Sequence, residues 1–362
     1  MSTTLTPRRA RTGTPPVPRR SRHGRWLAAG VITLAVSAVV ATGVGPAGVS
    51  PGEILTSAWH HLSGLVPGIE PVANPLSPAR DAIIWQGRAP RVLTAALVGA
   101  GLALCGVVMQ GLTRNPLADP YLLGVSSGAS LGAVAVLLLG LALWLPVAAF
   151  LGALAALAAT LALAGFGGRL TPARTILAGI AVAQACAALV SFTIFASTRG
   201  DSYREILGWL LGSLARAGWA SAGIAGAALL AVGVVLAAAG RSLDAFAFGD
   251  TSAASLGVSV TRLRWTLLTL SALLTGAMVA VSGAIGFVGL VVPHIVRLAI
   301  TRRHRWLLPL SGVAGATFLL WADTAARSVF APMEVPVGVF TAGIGAPVFA
   351  WLLLRQRAGG ER

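Results

Sequence analysis

Lysine is absent from this sequence: all 27 basic residues among the 362 are arginine. A Walker A loop needs a lysine on the nucleotide phosphates after its glycine-rich turn. The chain therefore lacks that type of ATPase site, and any work driven by ATP requires another polypeptide. The sequence also contains no H-E-x-x-H motif, which excludes the zinc proteases built on it.

Charge is scarce as well, at 10% of residues against 56% hydrophobic residues and a mean hydropathy of +0.82. Several runs of about 18 or more residues carry no charge, which is long enough to cross the hydrocarbon core of a bilayer. The net charge of +16 does not indicate nucleic-acid binding, because the arginines flank the apolar runs and follow membrane topology. The two cysteines, Cys105 and Cys186, lie inside apolar runs, so we interpret them as packing residues.

Ten apolar segments are predicted to be helices, because backbone groups in lipid must be hydrogen-bonded within their own segment. They are Trp26–Val44, Val92–Leu112, Tyr121–Leu143, Pro146–Phe166, Thr175–Ser197, Trp219–Gly240, Trp265–Val281, Gly283–Ile300, Trp306–Ala322 and Val335–Leu354. With the N-terminus inside, all arginines are cytoplasmic except Arg80, Arg88, Arg91, Arg199, Arg204, Arg216 and Arg327. This bias predicts an all-α polytopic membrane protein with ten transmembrane helices and both termini in the cytoplasm.

The predicted organisation is one membrane domain with two short tails. Residues 1–25 are rich in Arg, Pro, Thr and Ser and have no signal-peptide cleavage pattern, so they are predicted to be a disordered cytoplasmic tail. Residues 26–355 form the ten-helix domain, with a long cytoplasmic connection at 241–262, and residues 356–362 form a second cytoplasmic tail. The external connection, about 45–90, could hold short surface helices.

An enzyme is disfavoured by the context of the one candidate motif. The stretch GVSSG, Gly124–Gly128, fits the G-x-S-x-G pattern, but a nucleophile elbow requires a strand before the turn and a helix after it. Here the stretch opens an apolar segment. Gly124, Gly128 and Gly132 recur every four residues, which instead indicates close helix packing.

An ion-coupled secondary transporter is the alternative to a transport subunit powered by ATP. Proton-coupled carriers place ionisable side chains within the membrane. None of the ten predicted segments contains Asp or Glu away from its ends, and Asp323 is expected at an external end. This argues against proton coupling and leaves open a sodium site made of backbone carbonyl groups.

Long motifs carry a specific family resemblance. They are RAPRVLTAALVGAGLALCGVVMQGLTRNPLADPYLLGVSSGASLGA (Arg88–Ala133), GDTSAASLGV (Gly249–Val258), SGAIGFVGLVVPHIVRL (Ser282–Leu298), LWADTAAR (Leu320–Arg327) and EVPVGVFTAGIGAPVFAWLL (Glu334–Leu353). Together, over roughly residues 80–360, they resemble the FecCD-type permease subunits of ABC importers for iron siderophores and vitamin B12.

The resemblance implies a non-catalytic subunit in the bacterial inner or plasma membrane. Its expected partners are a second permease copy or paralogue, two ATPase subunits and an extracytoplasmic substrate-binding protein. It needs no cofactor of its own, since ATP and Mg²⁺ would bind the ATPase subunits. The implied substrate is a bulky metal chelate, foremost a ferric siderophore, with a corrinoid, haem or another cofactor-like compound as alternatives.

The resemblance also implies roles for individual residues. Arg88, Arg91 and Arg327 would form salt bridges with acidic residues of the binding protein, and an arginine fork suits carboxylates. Asn115 and Leu117, in RNPLADP, would close a cytoplasmic gate. Pro293 is predicted to kink the eighth segment.

The cytoplasmic connection is predicted to dock onto the ATPase. Ser242 can cap a short helix that stops at Gly249, and Asp250 or Thr251 can cap a second one that stops at Gly257. The resemblance implies that this compact knob enters a cleft of the ATPase. Its residues are Gly249, Asp250, Thr251, Ser252, Ala253, Ala254, Ser255, Leu256 and Gly257.

Overall fold

A computed structural model describes residues 22–45, 47–64, 74, 76–166, 171–197, 203–246, 249 and 259–360. Within these ranges all regular secondary structure is helical, as predicted. The predicted tail over residues 1–25 falls mostly outside the described ranges, but its last four residues already belong to the first helix. Residues Asp250–Gly257, most of the predicted docking knob, also lie outside them.

The helices follow the apolar segments of the sequence. They are α1 (Arg22–Gly43), α2 (Pro51–Ser63), α3 (Pro78–Ala82), α4 (Ala89–Thr113), α5 (Val125–Leu139), α6 (Leu145–Gly165), α7 (Pro172–Ala196), α8 (Tyr203–Leu210), α9 (Trp219–Ala228), α10 (Val234–Ala238), α11 (Gly240–Phe246), α12 (Val260–Ser282), α13 (Val288–Ala299), α14 (His304–Ser328) and α15 (Val337–Gly360). One π-helical turn, Ile83–Arg88, joins α3 to α4, and another, Leu229–Gly233, joins α9 to α10. A 3₁₀ turn, Pro120–Leu123, precedes α5.

The described residues contain seven helical stretches that are long and apolar enough to cross a membrane. Three more apolar helices are shorter: Val125–Leu139, Val288–Ala299 and Val337–Trp351. At 1.5 Å per residue, the 12-residue α13 covers only about 18 Å of the roughly 30 Å hydrocarbon core. The chain is thus a multi-pass helical membrane protein, while the count of ten spans and the orientation stay predictions.

Helix α4 lies at the centre of the bundle, packed against α14, α12, α13 and α9. Its crossing with α14 depends on two glycines. A Cβ atom on Gly99 would lie 2.2 Å from the carbonyl oxygen of Gly315, so a side chain there would separate the helices. Small residues at such crossings let the backbones approach closely. In lipid, where the hydrophobic effect does not drive helices together, this close packing stabilises their association.

The predicted close packing at the start of α5 is confirmed. A Cβ atom on Gly128 would lie 2.4 Å from the carbonyl oxygen of Gly152 on α6, and one on Gly132 would lie 2.1 Å from that of Ala148. Gly124 has a φ of 73° and separates the 3₁₀ turn from α5. The GVSSG stretch therefore opens a helix and lacks the strand that a nucleophile elbow needs.

Two short helices, α2 and α3, occur in the predicted external connection, as the sequence allowed. The side chain of Ser50 accepts a hydrogen bond from the backbone N–H of Glu53, which completes a capping box at the start of α2. In return, the backbone N–H of Ser50 donates a 2.8 Å bond to Glu53 Oε2, and this bond lowers the pKa of the Glu53 carboxyl group. Asp81 then ties α2 to α3, because its carboxylate accepts hydrogen bonds from Ser57 Oγ (2.6 Å) and His61 Nε2 (2.8 Å).

The last helix runs further than the hydropathy indicates. The sequence predicts that the tenth apolar segment ends at Leu354, with a cytoplasmic tail over residues 356–362. The backbone of α15 stays helical to Gly360. Hydropathy marks where a helix leaves the membrane, and it does not mark where the helix ends.

Candidate functional site

A cavity of about 350 Å³ lies where two interrupted membrane segments meet. Its walls are the 3₁₀ turn before α5, the middle of α7, and the start of α13 with the turn that precedes it. Because α13 is short, this turn lies inside the bundle, and the hydroxyl of Tyr121 donates a 2.7 Å hydrogen bond to the carbonyl of Ile285 within it. Non-helical backbone at membrane depth is tolerated only where protein or a water-filled cavity surrounds it.

Two polar side chains face this cavity, and sequence reasoning missed both. Asp119 lines it and caps the 3₁₀ turn, accepting a 2.8 Å hydrogen bond from the backbone N–H of Tyr121. Gln184 also lines it and is exposed at the middle of α7. An exposed amide at that depth is costly against lipid, so this face of α7 borders water or another protein. The sequence signal that could have revealed Gln184 was its position as an uncharged polar residue in the middle of a largely apolar run.

The predicted gate residues lie in the turn that follows α4. Arg114 ends α4 in the left-handed conformation, with a φ of 51°. Asn115 Oδ1 accepts a 2.9 Å hydrogen bond from the backbone N–H of Leu117, which stabilises the turn locally. Both Asn115 and Leu117 are exposed, Leu117 to 37%. They are placed where they could contact a partner or the transport path, and their gating role stays a prediction.

Arg91 forms the centre of an ion-pair network at the end of the bundle where α4 begins and α14 ends. We call this end the outer face, following the predicted orientation. Arg91 Nε lies 2.9 Å from Asp323 Oδ2, Nη2 lies 2.9 Å from Asp323 Oδ1, and Nη1 lies 2.9 Å from Glu334 Oε2. The Arg91 and Asp323 side chains are 12% and 2% exposed. This geometry is the bidentate fork that makes arginine–carboxylate pairs strong.

Asp323 is more buried than the sequence indicates. It lies in the last two turns of α14, which continues to Ser328, and its carboxylate is buried inside the helix bundle. Arg327, four residues later, lies 3.9 Å from the same carboxylate. The buried acid is tolerated because two arginines neutralise it, a compensation that a hydropathy profile cannot reveal.

Arg88 and Arg327 hold the end of α1. Arg88 donates hydrogen bonds to the carbonyl oxygens of Thr42 (3.1 Å) and Ala47 (2.9 Å), and Arg327 donates to those of Ala41 and Val44. Both side chains are buried. The three arginines predicted to dock a binding protein are thus engaged within the chain, and docking stays a prediction that requires these contacts to rearrange.

Pro293 lies inside α13 and helix continues through it, so the predicted kink is not established. As a proline it has no N–H and leaves the carbonyl of Gly289 without its helical donor. The buried side chain of Gln110 on α4 donates to the carbonyl oxygens of Gly289 (3.5 Å) and Leu290 (3.1 Å). Arg297 in turn donates to Gln110 Oε1 at 3.1 Å. Gln110 is a further polar residue whose role sequence reasoning missed.

The first helix of the predicted cytoplasmic connection is α11, and it starts earlier than predicted. Ser242 lies within it and does not cap it, because only Ala239 separates α11 from α10. Asp244 fixes α11 to the start of α14, accepting hydrogen bonds from the backbone N–H (2.6 Å) and Nδ1 (2.9 Å) of His304. Gly249 has a φ of 101°, which fits its predicted role as a helix stop. The remaining knob residues lie outside the described part of the chain.

Comparison with known proteins finds a match to a family of membrane transport proteins. The model of the FecCD transport family covers residues 32–355. The hemin transport system permease protein HmuU of Yersinia pestis is 46% identical over 283 residues, 76% of this chain and 84% of HmuU. The vitamin B12 import system permease protein BtuC of Citrobacter koseri is 38% identical over 343 residues, 94% of this chain and 97% of BtuC.

A solved structure extends the likeness to three dimensions. It is an inward-facing conformation of an ABC transporter assigned to the metal-chelate type. The two chains superpose with a TM-score of 0.79 at 33% identity, over 91% of this chain and 99% of the other. The arrangement of helices around α4 is therefore shared almost throughout.

Proposed function

The chain belongs to the FecCD transport family, and from that premise we propose that it is the permease of an importer for a ferric siderophore. It is an ABC transporter permease and a multi-pass protein of the inner membrane. Such a permease does not hydrolyse ATP, which agrees with the absence of a Walker A lysine. The substrate class is a bulky metal chelate, and haem and corrinoids are the alternatives that the named relatives favour.

The observation that carries this proposal is the cavity beside α7. Gln184 is exposed at the middle of that helix, and Asp119 lines the same space. A path for a hydrophilic chelate needs polar groups at membrane depth, whereas a lipid-facing helix avoids them. In our proposal a second permease copy or paralogue faces α7, and the chelate passes between the two.

An ion-coupled carrier is less well supported. For proton coupling, one candidate residue is the buried carboxylate of Asp323 in α14. Arg91 and Arg327 already neutralise Asp323, so binding a proton or sodium ion there would leave two buried arginines without their counter-charge. The two arginines therefore stabilise the ionised form of the Asp323 carboxylate.

In our proposal, transport is powered by ATPase subunits that bind the knob at residues 249–257. The Asp244–His304 contact fixes α11, the helix before the knob, to α14. A displacement of the knob would therefore move α14, which extends to the outer face and carries Asp323. This gives a mechanical route from the ATPase to the predicted docking region.

Affinity purification from native membranes tests the ATPase contact. Deletion of the eight residues Asp250–Gly257 should abolish recovery of an ATPase subunit with the tagged chain. A matched deletion of eight residues, Thr3–Ala10, lies outside the family match and should leave recovery unchanged. Equal ATPase recovery with both deletions would contradict the docking proposal.

Transport by the purified complex in proteoliposomes tests the substrate and the energy source. Radiolabelled ferric hydroxamate siderophore should accumulate only with ATP and the binding protein, with haem and cyanocobalamin assayed in parallel. Preference for haem or cyanocobalamin would correct the substrate and keep the importer. Uptake that continues without ATP and stops when the proton gradient is dissipated would establish the secondary carrier instead.

A further inference from the structure

Two adjoining cavities near the outer face form one amphipathic cleft. The first has a volume of about 550 Å³ and includes Arg204, Glu205 and Arg216 in its wall. The second has about 250 Å³ and is lined only by apolar residues. Trp144, Pro146 and Ala280 line both cavities, so the two are continuous. The cleft therefore has one polar end and one apolar end.

The apolar end opens sideways, toward the hydrocarbon. Val147 and Leu151 are one helical turn apart on α6 and are 40% and 50% exposed. Trp144, at the junction of the two cavities, is 55% exposed. Tryptophan is typical of the level where headgroups meet acyl chains, which places the junction at the membrane interface.

The polar end is held in place by α8. Ile206 is 3% exposed and packs with Val134, Leu138 and Val190 of α5 and α7. With this residue anchored in the bundle, the neighbouring Arg204 and Glu205 line the cleft. The cleft is thus built from α8, the starts of α6 and α9, and the end of α12.

Among the described residues, the charges in the polar end are unbalanced by one. Glu205 is paired with Arg216. Arg204 has no ion pair within the part of the chain that the structure describes. One arginine charge therefore remains for a ligand, and the guanidinium fork suits the oxygens of a phosphate.

We propose that this cleft binds a single anionic phospholipid of the outer leaflet, of the phosphatidylglycerol type. Its phosphate lies between Arg204 and Arg216, and one acyl chain follows the wall formed by Phe150 and Ile224. A zwitterionic lipid fits less well, because Glu205 is already paired and the described lining of the cleft offers no second carboxylate for an ammonium group. Basic pockets between membrane helices on the cytoplasmic side bind anionic headgroups through the same pairing of charges.

The bound lipid has a structural consequence for the transporter. It connects α8 to α6, α9 and α12, and α8 is short and lies beside the end of α7, which lines the candidate transport cavity. We expect the lipid to stabilise this part of the outer face. The inference does not depend on which chelate is transported.

Lipid binding to the purified full-length chain tests the proposal. The probes are dioleoylphosphatidylglycerol, dioleoylphosphatidylcholine and inorganic phosphate, each titrated in mild detergent and followed by native mass spectrometry and thermal unfolding. Only phosphatidylglycerol should bind tightly and raise the apparent Tm. Arg204→Gln should weaken its binding about tenfold, since one charge-assisted hydrogen-bonded contact is lost.

Two further variants keep the result interpretable. Arg80→Gln is the matched control, because Arg80 is an exposed outer-face arginine paired with Glu53, away from the cleft. It should bind phosphatidylglycerol like the wild type. Ile224→Trp should fill the apolar end and weaken lipid binding while both charges remain. Equal binding of both lipids, saturation by phosphate alone, or unchanged binding in Arg204→Gln would overturn the proposal.

Discussion

The ion pair between Arg91 and Asp323 gives the sharpest stability prediction. Asp323→Ala would leave Arg91 and Arg327 buried without their shared counter-charge, and Glu334 could compensate only in part because it is 47% exposed. Removing one partner of a buried ion pair costs about 3–5 kcal/mol. The apparent Tm of the detergent-solubilised chain should therefore fall by roughly 5–10 °C.

The measurement is thermal unfolding followed by tryptophan fluorescence at a fixed heating rate. Glu334→Gln is the control, because an exposed pair contributes about 0–1 kcal/mol and its loss should barely change the Tm. The double variant Arg91→Ala with Asp323→Ala should be little worse than Asp323→Ala alone, since the two side chains act as one unit. If Asp323→Ala and Glu334→Gln shift the Tm equally, the buried pair does not stabilise the fold as we argue.

Two further pairs of variants test the packing and the polar network of the bundle. Gly132→Leu should lower the Tm and reduce the folded yield, because overpacking costs about 1–3 kcal/mol or more. Gly223→Ala is the control, because a Cβ atom there meets open space and should leave the Tm unchanged. An unchanged Tm in Gly132→Leu would refute the close α5–α6 contact. Gln110→Leu should lower the free energy of unfolding by about 1–3 kcal/mol, because a carbonyl group and Arg297 lose their hydrogen-bond partner. Gln110→Glu should retain the acceptor for Arg297 and lose the amide donor to the carbonyl groups, and unfolding and transport assays separate the two losses. Wild-type behaviour of Gln110→Leu would show that the network is dispensable.

The candidate site was only partly predictable. The turn at Asn115 and Leu117 was found because proline and the RNPLADP motif mark it in the sequence. Gln184, Asp119 and Gln110 were missed, because a single polar residue in or beside an apolar run looks the same whether it faces a cavity, a partner or a neighbouring helix. Only the packing of the helices distinguishes these environments.

The sequence alone determined the class of the protein. Lipid offers no hydrogen-bond partners, so long uncharged runs had to become helices, and the lack of lysine by itself excluded a Walker A site. The regular spacing of Gly124, Gly128 and Gly132 likewise predicted a close helix contact. These inferences depend on local composition and period, which are properties of the chain itself.

The tertiary structure decided which groups are paired. The resemblance implies that Arg88, Arg91 and Arg327 dock a binding protein. Only the packed structure shows that each is also bonded to backbone or carboxylate groups from distant parts of the chain. The sequence places Asp323 toward the outer end of its segment, but only the packing shows that its carboxylate is buried. The cost of burying a charge depends on what lies within a few ångströms of it, and those neighbours are brought together only when the helices pack.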